Sequence, residues 1–268
     1  MKQIARTKFT SFGLRVPTNW KQPQGEAGDM YTRAFKPEHR NTAPAMGALF
    51  QAATPNKHHT DTQKNLHEQF GGFIDGTVDA LCSAWSQWQS SATLVGVVIT
   101  GFAAMGGQVV GPPLQPMILA SAPKKSPTQA QFSNIIATVI STAWMTYTGT
   151  IKVSGLPWYP AFVAVPSPVA PPTPNVPCPV ATLTQVDTVF QSMKTQMVGM
   201  LGDPRVPFHQ ELFESICFAF IQCYTVWKTS TMVTNVLGMG PVPTFAPPYV
   251  PVGPVVGGVG NMMPGGFT

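Results

Sequence analysis

The stretch NKHHTDTQKNLHEQF, residues 56–70, concentrates the imidazole and carboxylate side chains that could do chemistry. It contains His58, His59, Asp61, His67 and Glu68, and these residue types bind Zn²⁺ and related divalent metals. Their spacing matches no established ligand pattern. The stretch is more typical of a solvated polar segment, and we predict no metal site here.

Acid–base pairs and nucleophiles are sparse elsewhere in the chain. Glu211 and Glu214 lie three residues apart on a predicted helix, and the helix dipole explains carboxylates near a helix start. The cysteines form no CxxC pair and are predicted to be buried thiols: Cys82, Cys178, Cys217 and Cys223. There is no GxGxxG, P-loop, HExxH or GxSxG motif. We therefore predict a protein that is not an enzyme and that uses no cofactor.

The charge of the chain is low and unevenly placed. Charged residues make up 10% of the 268 residues, against about a quarter in an average globular domain. Residues 1–68 hold ten Lys/Arg and five Asp/Glu, whereas the remainder holds six of each and is neutral. A free-standing soluble surface normally needs more charge than this body has. Either partner subunits cover much of the body, or it lies in a membrane.

Two alternative functions follow from this charge distribution. Residues 92–111 carry no charge and are long enough to cross a bilayer, which suggests a membrane-associated protein, although five glycines in residues 93–111 disfavour a spanning helix. The basic residues 1–68 suggest a nucleic-acid contact or, more simply, a solvated extended arm. The start of the chain lacks the apolar core of a secretory signal, so none is predicted.

An internal repeat organises the body of the sequence. In three places a tryptophan is followed by a glycine eleven residues later: Trp85 and Gly96, Trp144 and Gly155, Trp227 and Gly238. A proline pair follows each glycine: Pro112 and Pro113, Pro171 and Pro172, Pro247 and Pro248. The third pair comes seven residues sooner than the other two, as a deletion would produce.

Each repeat predicts a helix, a short strand and an extended Pro/Gly-rich tail. Apolar residues at helical spacing precede each tryptophan, Thr- and Val-rich segments follow it, and the glycine is expected to end the strand. The predicted fold is α+β with three such pseudo-repeated units and an extended N-terminal arm. The predicted divisions are an arm at 1–68, units at 69–123, 124–182 and 206–268, and a connecting helix at 183–205.

The proline-rich tails are unusually apolar. Their prolines alternate with Val, Ala, Phe, Tyr and Met, as in PSPVAPP, whereas flexible linkers are more polar. Such tails bury their side chains either on their own domain or on a neighbouring subunit. We expect the three proline pairs to contact neighbouring subunits, with copies of the same chain among the options.

The motifs ATLVGVVITG…VVGPP, GTIKVSG…PVAPP and STMVTNVLG…VVGGVG resemble small structural proteins of contractile phage tails and baseplates and of related injection machines. The resemblance covers residues 70–268. It implies a non-enzymatic structural component of a virion or other assembled particle, whose partners are the other structural subunits. The N-terminal arm departs from the pattern, so the resemblance implies no role for it.

Overall fold

The computed structural model describes most of the chain with a few gaps. The described residues are 1–13, 56–159, 168–203, 206, 208–247 and 249–268, without the side chains of 56–64, 66 and 250. The chain divides into two compact units, one of Met1–Ser11 with Phe73–Thr268 and the other of Phe12–Gly72. Within the second unit the description covers residues 12–13 and a helical backbone over 56–72, so most of the histidine-containing stretch 56–70 lies outside the described side chains.

The described residues form six α-helices and a six-stranded antiparallel sheet, which confirms the predicted α+β class. The helices are α1 (Lys2–Ser11), α2 (Asn56–Ser91), α3 (Leu114–Ser121), α4 (Pro127–Thr150), α5 (Met193–Leu201) and α6 (His209–Ser230). The sheet strands are β1 (Thr93–Thr100), β2 (Ala103–Val110), β3 (Val153–Pro157), β4 (Val169–Pro174), β7 (Val236–Pro241) and β10 (Val256–Met262). Two short ladders join β5 (Cys178–Pro179) to β6 (Met232–Val233) and β8 (Phe245–Ala246) to β9 (Val250–Pro251).

Local sequence explains several helix ends. The side chain of Ser126 accepts a hydrogen bond from the backbone N–H of Gln129, and Pro127 occupies the first helical turn of α4; serine at the N-cap and proline in the first turn both favour a helix start. Helix α5 ends at Gly202 in the left-handed conformation (φ +64°), which glycine adopts without steric cost. The connecting helix predicted over 183–205 is shorter, with a 3₁₀ turn at Thr188–Ser192 leading into α5.

The sheet runs in the order β3-β2-β1-β10-β7-β4 and curls so that its two edges approach each other. Val176, just beyond β4, donates its N–H to the carbonyl of Trp158, just beyond β3, at 2.6 Å. Across the interior, a Cβ on Gly238 of β7 would touch the side chain of Ile99 of β1. The curled sheet therefore encloses one buried face and leaves the other exposed.

Close packing of the interior explains why β7 and β10 are rich in glycine. The ring of Tyr159 lies over Gly238 and Gly260, which are paired across the two strands. A Cβ on Gly238 would overlap the ring, and a Cβ on Gly260 would overlap its hydroxyl oxygen. The glycines are thus needed for contact with Tyr159, which is buried and hydrogen-bonds through its hydroxyl to the Val236 carbonyl at 3.3 Å.

The prediction that each repeat glycine ends its strand is wrong. Gly96 and Gly155 lie inside β1 and β3 with φ of +71° and +79°, and Gly238 lies inside β7. Glycine adopts positive φ without steric cost, and the pairing resumes on the far side of Gly96 and Gly155. Each strand therefore continues past its glycine.

The segments predicted as extended tails supply half of the sheet, since they include β2, β4 and β10. Their proline pairs have three different settings. Pro112 and Pro113 lead into α3, whereas Pro171 and Pro172 lie in the edge strand β4, where a residue without an N–H is tolerated. Pro247 is exposed between β8 and β9, and Pro248 lies outside the described residues. Residues 169–174 pair with β7 of the same chain.

The first residues of the predicted extended arm are helical. Ala5 and Phe9 form the buried side of α1, which packs against α6. Arg6 donates two hydrogen bonds, of 2.7 and 2.6 Å, to the carboxylate of Asp75 in α2. This burial and ion pairing stabilise a helix where charge alone suggested a solvated arm.

Residues 92–111, which the membrane alternative requires, form the β1–β2 hairpin. None of the helices within the described ranges is long and apolar enough to cross a membrane.

The packing around Tyr159 predicts the effect of adding a methyl group to β10. Gly260→Ala is expected to lower the free energy of unfolding by about 1–3 kcal/mol, because the new methyl overlaps the Tyr159 hydroxyl. In a Tyr159→Phe background the cost should shrink, since the overlapping atom is gone. Gly149→Ala, in a helix with open space around it, is the control and should be neutral or stabilising. Urea denaturation measures all four, and an equal cost of Gly260→Ala in both backgrounds would contradict the packing.

The ion pairs of α1 predict a mild acid sensitivity. Arg6 lowers the pKa of Asp75, and Lys194 together with Lys8 lowers the pKa of Glu214. A carboxylate with a lowered folded pKa contributes stability above its unfolded pKa and loses it as pH falls through the folded value. We expect this loss below about pH 4, amounting to less than about 1 kcal/mol per exposed pair. In denaturation at several pH values, the free energy of unfolding of the Asp75→Asn, Glu214→Gln double variant should fall less below about pH 4 than that of the wild type. An equal fall in both proteins would contradict the assignment.

Candidate interaction surface

The three repeat tryptophans meet in the centre of the helical layer. The ring centroids lie 4.4 Å apart for Trp85 and Trp144, 5.3 Å for Trp144 and Trp227, and 5.7 Å for Trp85 and Trp227. Each lies in the last two turns of the long helix that precedes a strand of the sheet. We call these three residues the tryptophan hub. The sequence pattern singled out these residues by their spacing, whereas their mutual contact is a property of the fold.

The loops that join the strands of the sheet converge at the end away from the tryptophan hub. Gly101 donates to the carbonyl of Val255 at 2.6 Å, which links the first loop to the third. The N–H groups of Trp158 and Tyr159 both donate to the carbonyl of Phe102, at 2.7 and 2.9 Å, and link the second loop to the first. A further bond of 2.9 Å, from Val242 to the carbonyl of Pro168, links the third loop to the second.

We call the surface formed by residues 101–102, 158–159, 168, 242–247 and 249–255 the loop face. Large aromatic side chains project from it: Phe102 is 58% exposed, Phe245 51% and Tyr249 88%. The sequence places no charged residue in 80–123, 153–186 or 229–268, so the loop face is uncharged. Exposed aromatics without surrounding charge are typical of protein-binding surfaces.

A second apolar surface lies on the outer side of the curled sheet. Met105, Val98, Val259 and Met239 are neighbours in register across β2, β1, β10 and β7. Each is between 44% and 50% exposed. Beside this row, Asn261 accepts a hydrogen bond from the Gly96 N–H at 2.9 Å. The row therefore gives the outer side of the sheet a continuous exposed apolar strip.

A cleft of about 540 Å³ lies beside the tryptophan hub. Among its described lining residues are the thiols of Cys82 and Cys223, the aromatic rings of Trp85 and Phe267, and Met1. The Cys82 sulfur lies 3.9 Å from that of Met1. Although the residue as a whole is exposed, partial burial of its thiol raises the thiol pKa. A raised pKa disfavours the nucleophilic thiolate, so the cleft offers aromatic and thiol surface without an activated nucleophile.

Within the described part of the chain, the carboxylate and histidine side chains that the sequence suggested for chemistry are not brought together. Glu211 lies in the first turn of α6, as expected for a helix-start carboxylate, while Glu214 pairs with Lys8 and Lys194. Cys217 is buried and its pKa is raised to about 12 by burial, whereas Cys82 is exposed, contrary to the prediction of a buried thiol. No cluster of metal-binding side chains occurs within the described residues.

The prolines predicted to contact neighbouring subunits also lie apart: Pro112 and Pro113 precede α3, Pro171 and Pro172 lie in β4, and Pro247 lies on the loop face. Pro248 lies outside the described residues. Sequence reasoning missed the loop face itself, because its three loops are far apart in the chain and meet through backbone hydrogen bonds. The apolar, aromatic composition of FAPPYVPVG was the signal that pointed to part of it.

Comparison with protein-family models, with curated proteins and with solved structures gives no match to this chain.

The conformation of Tyr249 predicts a stabilising substitution on the loop face. Tyr249 has φ of +97°, a conformation that costs a non-glycine residue about 1 kcal/mol or more, while its side chain is almost fully exposed. Tyr249→Gly should therefore raise the free energy of unfolding by about 1 kcal/mol. Tyr249→Ala, which removes the ring and keeps the backbone strain, should change it little. Equal stability of the Gly and Ala variants in thermal or urea unfolding would contradict the strain.

Proposed function

We propose that this chain is a non-enzymatic structural subunit of a large assembled particle, of the phage-tail or baseplate type, and that it binds its neighbours through the loop face. The observation that carries the proposal is the exposure of Phe102, Phe245 and Tyr249 on an uncharged surface. Burying large aromatic side chains of this kind dominates the energetics of protein interfaces. A neighbour that covers the loop face would remove them from water.

The low charge of the body supports the same function. None of the six strands of the curled sheet contains a charged residue, although its outer side is exposed. Surfaces of free monomers are normally rich in both signs of charge. Extensive cover by other subunits accounts for a surface of this composition.

We propose further that the three sequence units are pseudo-repeats that share one structural plan. Each long helix contributes one residue to the tryptophan hub, continues into a strand, and is followed by a second strand that returns toward the helices. The tails of the repeat are then these returning strands. A chain with three similar units presents related surfaces in three directions, as suits a subunit with several neighbours.

The nucleic-acid alternative loses part of its support in α1. Lys2, Arg6 and Lys8 form ion pairs with acidic residues of the chain itself, at 2.7, 2.6 and 3.0 Å. These cations are engaged within the protein, which weakens their contribution to phosphate binding.

Sedimentation of the native particle tests the proposed function. In cells that naturally produce it, the tagged chain should co-sediment with a high-mass particle on a density gradient. The Phe102→Asp, Tyr249→Asp double variant should shift at least about tenfold toward the free fraction, since burying a charge at an interface costs several kcal/mol. Val226→Asp, at a 64% exposed site on α6, should stay in the particle. Wild-type chain found only free, or equal incorporation of the double variant, would contradict the proposal.

A further inference from the structure

We propose that the cleft beside the tryptophan hub binds one Cu⁺ ion, and that the ligands are the sulfur atoms of Met1, Cys82 and Cys223. The inference goes beyond the proposed function and does not depend on it, because it concerns the helical layer rather than the loop face. Thiolate and thioether sulfur atoms are soft ligands, and a site made of them favours Cu⁺ over harder divalent ions.

The first two sulfur atoms lie at a distance that one metal ion can bridge. The Sγ atom of Cys82 is 3.9 Å from the Sδ atom of Met1. Metal–sulfur bonds of about 2.3 Å that meet at about 120°, as in a trigonal site, place their sulfur atoms about 4 Å apart. The pair can therefore hold an ion between its sulfur atoms with little rearrangement.

Two ion pairs align the start of α1 over the cleft. Arg6 pairs with Asp75 of α2 at 2.6 Å. Lys2, one turn earlier in α1, pairs with Asp79, one turn later in α2, at 2.7 Å. The two helices therefore run in opposite directions along this contact, and the next pair in the series is the one that joins the two sulfur atoms. The approach of these sulfur atoms is thus part of a continuous helix contact.

The third sulfur atom comes from α6. Cys223 lines the same cleft and lies between Phe220 and Trp227 at helical spacing, so the three side chains share one side of α6. The rings of Phe220 and Trp227 both contact the ring of Trp85, with centroids 5.0 and 5.7 Å away. Cys82 precedes Trp85 by three residues in α2, so the two thiols lie within about one helical turn of each other. After burial, the charge of Cys223 is among the causes that raise the pKa of Cys82, as expected of neighbouring thiols.

The rest of the cleft suits a soft ion of low charge. Its described lining residues include no His, Asp or Glu, which are the other side chains that bind Zn²⁺. The rings of Trp85, Trp227 and Phe267 give it an apolar wall. Cys82 is exposed, so an ion can enter from solvent. A structural Zn²⁺ site needs four ligands, whereas three sulfur atoms are enough for Cu⁺.

Binding would replace the thiol protons with the metal ion. A thiol that coordinates a metal is deprotonated outright, so the raised pKa that disfavours a free Cys82 thiolate does not prevent coordination. The three ligands belong to three parts of the helical layer, namely the residue before α1, helix α2 and helix α6. The ion would therefore join α1 to both long helices and stabilise the folded chain.

Anaerobic titration with Cu⁺ tests the proposal. The full, reduced chain without an N-terminal tag is titrated in competition with bicinchoninate, a chromogenic chelator of Cu⁺. We expect one Cu⁺ ion per chain. Cys82→Ser and Cys223→Ser should each weaken binding at least about a hundredfold, because each removes a thiolate ligand. If Cys223→Ser perturbs folding, as judged by circular dichroism, Cys223→Ala replaces it.

Cys217 provides the matched control. Its Sγ atom lies 3.7 Å from the Sδ atom of Met197, a separation similar to that of Cys82 and Met1. This pair is buried and lies outside the described lining of the cleft. Cys217→Ala should therefore leave the affinity for Cu⁺ unchanged.

X-ray absorption at the copper edge identifies the ligands. The copper-loaded chain should show three sulfur neighbours, and in protein labelled with selenomethionine one of the three should be selenium. Three results would overturn the inference: no binding in competition with the chelator, binding that neither Cys82→Ser nor Cys223→Ser weakens, or a copper ion with nitrogen or oxygen neighbours or without selenium. The first would mean that the three sulfur atoms only pack against one another, and the others that the ion binds adventitiously.

Discussion

The convergence of three indole rings at the tryptophan hub is the constraint on which the rest of the structure depends. Rings whose centroids lie 4.4–5.7 Å apart fix where the long helices α2, α4 and α6 must end relative to one another. Strands begin within a few residues of those ends, so the hub also fixes where the sheet starts. Close packing of this kind leaves little freedom to shift one helix without moving the others, and the curled sheet and the loop face inherit their arrangement from it.

Sequence patterning predicted the helix-to-strand order of the chain, because apolar periodicity and β-branched composition are local signals. The Ser126 cap and Pro127 at the start of α4 are local signals of the same kind. Strands β2, β4 and β10 were not predicted, since their glycines and prolines disfavour strands by local propensity. In β7 and β10, Gly238 and Gly260 leave the space that the Tyr159 side chain occupies. A contact between residues so far apart in the chain produces no local sequence pattern.

The sequence predicted what kind of residues a contact surface would contain, but not which loops would form it. Exposed apolar loops rich in proline and aromatic residues indicated a contact surface, yet the proline pairs chosen for it lie in three different settings. What assembles the surface is backbone hydrogen bonding, such as that of Gly101 to Val255, which any residue type except proline can donate. The side chains therefore gave no indication of which loops would meet. Helix α1 was not predicted either, because the ion pairs that stabilise it join residues far apart in the sequence.

Hydroxyl-radical footprinting of the purified particle tests most directly the claim that a neighbour covers the loop face. The rates of side-chain oxidation would be compared between the isolated chain and the chain in the particle. The account predicts strong protection of Phe102, Phe245 and Tyr249 in the particle, with Met145 and Val226 on the helices, both 64% exposed, as reference sites whose rates change less. Equal oxidation of the three aromatic residues in the free and assembled chain would contradict it.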